Sequence, residues 1–153
     1  MSKKLWQPDP ARIAASNLTK FIGLVETRWG VSCADYPSLH HWALEEPEKF
    51  WQTLWDFAGV LGDLNDDIVL LHADQMPGAI FYPNARLNFA ENLLRRRDDT
   101  AALMFRGETG VERTLSGAAL YDLVSRLKQA MQKAGIKSGD RVVGYLPNLP
   151  ESI

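Results

Sequence analysis

The sequence predicts an α/β protein: a helical, tryptophan-rich extension over residues 1–80, then over 81–153 the opening of a layered α/β domain. Three observations carry this. All five tryptophans (Trp6, Trp29, Trp42, Trp51 and Trp55) fall in the amino-terminal part of the chain, none beyond residue 55. From Ala101 the pattern changes to two apolar runs joined through Gly107-Glu108-Thr109-Gly110, as a hairpin requires. After a capped helix, Arg141–Leu146 alternates little, as a strand covered on both faces would.

The helical extension is read from its punctuation. Asp9-Pro10 and Ser16 each offer a side chain or ring suited to a helix start, because a short oxygen accepts from free backbone N–H groups and proline has none to satisfy. Leu18, Phe21, Ile22 and Val25 then recur at helical spacing up to Gly30, a carboxyl-terminal cap. Pro47 opens a further helix, whose Phe50, Trp51, Leu54 and Trp55 form a broad aromatic face expected to pack on another domain. Gly59–Asp67 is turn-rich, Ile68–His72 is a short apolar run, and Met76-Pro77-Gly78 is another turn, which together predict a linking stretch.

In the second region, Leu87, Ala90, Leu93 and Leu94 mark a short amphipathic helix, ending at Arg95, Arg96 and Arg97, which suit its carboxyl end. Ala101–Phe105 and Val111–Leu115 are the hairpin strands. Ser116 caps a helix with Leu120, Leu123, Val124, Leu127 and Met131 on one face, stopping at Gly135. The expected strand Arg141–Leu146 follows, and Pro150-Glu151 begins a helical turn. A parallel sheet started in this way needs crossover helices and further strands, expected beyond Ile153.

Composition excludes several function classes. Hydrophobic residues are 46% and charged residues 24% of the 153, ordinary for a chain that buries a core. Lys plus Arg number 17 against 19 Asp plus Glu, so a net charge of −2 provides no broad positive field for nucleic acid. The start, MSKKLWQPDPAR, has two lysines with no apolar stretch behind them, and no later run is long enough to cross a bilayer, so a cytoplasmic protein is expected. The single cysteine, Cys33, allows no internal disulfide. His40 and His41 lie near it in sequence, but an ordinary buried or half-exposed thiol is preferred to a catalytic one.

Other motifs fall short of their chemistry. Asp63, Asn65, Asp67 and Asp74 occupy calcium-loop positions, yet the sharp-turn position holds Ile68 where glycine is needed. Lys137-Ser138 follows Ile136 where a nucleotide loop requires glycine, so GIKSGD is read as a turn. GETG would set Glu108 against any phosphate. Asn17-Leu18-Thr19 matches a glycosylation pattern but is read as a helix start. Asn148 stands where a strand's carboxyl end meets the next helix, a place where α/β sheets often bind ligands; capping the turn before Pro150 is its preferred role.

Three segments taken together carry a family resemblance. FYPNARLNFAENLLRRR (Phe81–Arg97), LSGAALYDLVSRLKQAMQKAGIKSGDRVVGYLPNLPES (Leu115–Ser152) and the leader between Trp6 and Trp51, with LHHWALEEPEKFW, resemble the start of the acetoacetyl-CoA synthetase family. That family lies in the acetyl-CoA synthetase branch of the adenylate-forming enzymes. The resemblance implies an amino-terminal extension (1–80) and the beginning of a large AMP-binding domain (81–153). It implies that the intact enzyme joins acetoacetate to CoA, using ATP and Mg2+ and passing through an acyl-adenylate with release of pyrophosphate and AMP. The family's Ser/Thr/Gly-rich phosphate loop, its aromatic-Gly-x-Thr-Glu stretch, its ribose-binding aspartate and its carboxyl-terminal lysine have no counterpart in residues 1–153. No catalytic, cofactor-binding or metal residue is therefore carried over, and the segment by itself is expected to be inactive, to bind no cofactor and to self-associate. The remainder of its own chain is the expected partner; nucleic acid and membrane are not. The alternatives are a stand-alone scaffold or interaction module without catalysis, and a portion of a related short-chain acyl-CoA synthetase.

Overall fold

The structure is a computed structural model describing residues 5–153; Lys3 and Lys4 of the leader lie outside them. The chain forms two compact units, residues 1–87 and 88–153.

The first unit is built on four capped helices. In α1 (Pro10–Ala14) the Asp9 carboxylate accepts from the Arg12 N–H at 2.9 Å. In α2 (Asn17–Trp29) the Ser16 hydroxyl accepts from the Thr19 N–H, and Gly30 closes the helix at φ 66°, a left-handed conformation that glycine adopts without penalty. A further helix, α3 (Tyr36–Glu45), was not foreseen; Asp35 and Ser38 form a reciprocal capping box at its start. Asp35-Tyr36-Pro37-Ser38 was the legible signal for it. Pro47 then opens α4 (Pro47–Ala58), which Gly59 ends at φ 60°.

Phe21 and Val25 of α2, Cys33, and Leu39 and Trp42 of α3 make the buried core, with Trp29, Phe50 and Leu54 packed against it. The α4 aromatic face finds ring partners within its own unit, where Phe50, Trp51, Leu54 and Trp55 are each half-buried. Phe50 meets Phe21 edge-on at 5.8 Å between centroids, Trp51 meets Phe81 at 5.0 Å and Trp55 meets Tyr82 at 4.8 Å. Phe81 and Tyr82 reach α4 because the stretch after it is more than a linker. It holds two short antiparallel ladders, β1 (Gly62–Asp63) with β4 (Arg86–Leu87) and, nested inside, β2 (Leu70–Leu71) with β3 (Ile80–Phe81). Leu87, read as helical, belongs to β4.

The second unit begins with α5 (Phe89–Leu93), capped by Asn88. The predicted hairpin is present as β5 (Ala101–Arg106) and β6 (Glu112–Ser116), with Met104 opposite Thr114. Its turn is closed by Gly107 N–H to Val111 C=O at 2.8 Å and Gly110 N–H to Gly107 C=O at 3.0 Å. Ser116 caps α6 (Gly117–Lys133), whose Leu120, Leu123, Val124 and Met131 are half-buried while Leu127 is exposed. The close approach of Gly117 to the chain at Arg96 leaves no space for a side chain, since an added Cβ would stand 2.5 Å from the Arg96 carbonyl oxygen.

The expected buried strand Arg141–Leu146 is a correction. The segment is irregular, Val143 is 91% exposed and Tyr145 fully so. A strand exists by pairing, and β5 and β6 pair with each other and with nothing else among the described residues. The chain ends in a 3-10 turn, Pro150–Ser152, pinned to β6 by an ion pair from Arg113 to Glu151 at 2.6 Å.

Candidate functional site

The residue types that could do chemistry are engaged in holding local structure. The Cys33 thiol is buried, and its titration is pushed up by that burial and then by the nearby Glu26 carboxylate, so it is held as an inert thiol. The same carboxylate accepts from the Cys33 backbone N–H at 2.8 Å, which fixes the turn after α2. His41 lies exposed on α3, 3.2 Å from Glu45 one turn on, and His40 stacks loosely on Tyr36 at 5.9 Å. His72 adopts φ 54°, and its carbonyl accepts from the Gln75 N–H.

In the acidic stretch at 63–67, Asp63 and Asp66 form turns. Asp63 accepts from the Asn65 N–H and Asp66 from the Ile68 N–H, both as Asx turns. Asn65 donates its side-chain N–H to the Asn84 carbonyl at 2.6 Å, and the Asn84 amide donates back to Asp66. These bonds clasp the start of the loop to its return. Among the described residues, no three His, Cys, Asp or Glu side chains gather as a metal site.

The three arginines after α5 do not converge. Arg95 donates to the Asn92 carbonyl at 3.0 Å, Arg96 to the Ala101 carbonyl at 3.2 Å, and Arg97 lies 3.9 Å over the Tyr121 ring. Asp98 ends this run; hydrogen bonds from the Thr100 side chain and N–H hold its carboxyl below the usual range. In GIKSGD the Lys137 N–H donates to the Asp140 carboxylate at 2.7 Å and the Asp140 N–H returns to the Lys137 carbonyl, which makes the segment a closed turn.

Asn148 is exposed at the edge of a groove of about 340 Å³ bounded by Leu103, Phe105, Leu149, Pro150 and Ile153. Its expected capping role falls to another residue: Ser152 receives the Leu149 N–H at 3.2 Å and donates to the Leu149 carbonyl at 2.6 Å. Arg106, also on the groove, is paired with Glu112 at 3.1 Å. The groove presents polar and apolar surface in about equal measure and brings together no nucleophile with a base.

Comparison with known proteins decides the relationship. No family model matches the chain. It is 43% identical over 151 residues to acetoacetyl-coenzyme A synthetase of Rhizobium meliloti (strain 1021), across 99% of this chain and 23% of that protein. The chain corresponds to an amino-terminal portion of acetoacetyl-CoA synthetases. Acetoacetyl-CoA synthetase of Xenopus tropicalis is 33% identical, again across 99% of this chain and 23% of that protein. The solved structure of acetoacetyl-CoA synthetase from Streptomyces lividans superposes with a TM-score of 0.79 at 32% identity, over 99% of this chain and 24% of that one. The chain thus spans about a quarter of the length of the acetoacetyl-CoA synthetases it matches. Its mixed helices and small sheets are those of their amino-terminal part, and no helix among the described residues is long and apolar enough to cross a membrane.

Proposed function

We propose that the protein containing this chain is a cytoplasmic acid–thiol ligase that joins acetoacetate to CoA with conversion of ATP to AMP and pyrophosphate through an acyl-adenylate. The observation that carries this reading is the match of 99% of the chain, in sequence and in backbone, to acetoacetyl-CoA synthetases. Residues 1–80 are assigned to the helical extension and 81–153 to the beginning of the AMP-binding domain; the compact units 1–87 and 88–153 support a division close to that point.

Nothing in the described residues fits magnesium or a triphosphate. The Asp63 and Asp66 carboxylates are occupied in turns, and Arg96, Arg97 and Arg106 are engaged with a carbonyl, a ring and a carboxylate. When bound in the intact enzyme, ATP with Mg2+ would supply an activated phosphoryl group whose developing charge the metal disperses. The groups that hold ATP, Mg2+, CoA and acetoacetate are assigned to polypeptide outside residues 1–153. This portion contributes scaffold: capped helices, a hairpin and the helix α6 on which a larger sheet can be completed.

The test is pyrophosphate release with acetoacetate and ATP. Residues 1–153 alone are expected to show no turnover above background, and clear turnover would overturn the assignment. The full reading frame is expected to run for several hundred codons and include a phosphate loop, and its product to consume acetoacetate only with both ATP and CoA. A stop codon directly after Ile153 would favour a stand-alone scaffold module; full-length activity with acetate or propionate and none with acetoacetate would favour a related short-chain synthetase.

A further inference from the structure

We draw no further inference here: the strongest candidate, the small pocket between α4 and the β1–β2 loop lined by Asp56, Asp66, Asp67 and Tyr82, whose hydroxyl is unpartnered, rests on acidic residues and a tyrosine that is only partly buried, and no second observation points to a ligand there.

Discussion

Thr53 offers the sharpest test of how the first unit is held together. It is 0% exposed in the middle of α4; its hydroxyl donates to the Lys49 carbonyl at 2.7 Å and accepts the Trp29 indole N–H at 2.8 Å. That bond ties α2 to α4, and the Arg28 and Lys49 cations stand 5.3 and 5.5 Å from the same indole. Thr53→Val nearly preserves volume and removes both hydrogen bonds of the hydroxyl, so the bond to Trp29 is isolated by the double-mutant cycle with Trp29→Phe. A buried donor left without an acceptor costs about 1–3 kcal/mol. Trp29 is only half-buried, which lets water recover part of the loss, and the expected cost is about 1–2 kcal/mol. In a Trp29→Phe background the donor is already gone, so Thr53→Val should cost about 1 kcal/mol less there. Urea titration followed by tryptophan fluorescence reads this directly, because all five tryptophans lie in the first unit and four remain after the substitution. A coupling within about 0.5 kcal/mol of zero would refute the claim that this bond joins the helices.

Further outcomes are expected elsewhere in the molecule. Gly23→Ala, inside α2 with open space around the added Cβ, should stabilise by about 0.5–1 kcal/mol, while Gly117→Ala, forced against the Arg96 carbonyl, should destabilise by about 1–3 kcal/mol; denaturation midpoints moving in the same direction would contradict the packing described. The Asp35 carboxyl titrates below its usual value because it accepts from the Ser38 N–H and then from the Ser38 hydroxyl, so its contribution is present above the unfolded carboxylate range and is lost as pH falls through the folded one. Asp35→Asn should flatten that part of the acid-stability profile, and an unchanged profile would show that the box does not act. Gel filtration of residues 1–153 is expected to show species larger than monomer, driven by exposed Val142, Val143, Tyr145 and Leu146 and by the unpaired hairpin edges; a clean monomer at high concentration would count against it.

What the amino acids determined by themselves is whatever depends on near neighbours. Asp9, Ser16 and Ser116 cap helices, Gly30 and Gly59 end them, and Gly107–Gly110 turns the hairpin, because each acts on backbone groups within about one helical turn. The resemblance to the acetoacetyl-CoA synthetase family was likewise legible, carried by the segments Phe81–Arg97 and Leu115–Ser152 and the leader between Trp6 and Trp51. The capping box at Asp35 was equally local and could have been read.

Tertiary structure alone decided which surfaces meet. Periodicity showed that Trp51 and Trp55 share a face but could not name Phe81 and Tyr82 as its cover, since those rings arrive through two-residue ladders too short to leave a pattern. Arg141–Leu146 has the apolar content of a buried strand and is exposed, because hydrophobicity states a preference for burial while strand identity needs a partner's N–H and C=O groups across a ladder. Preferences are written residue by residue; partners come from distant chain brought close, and only the folded arrangement supplies them.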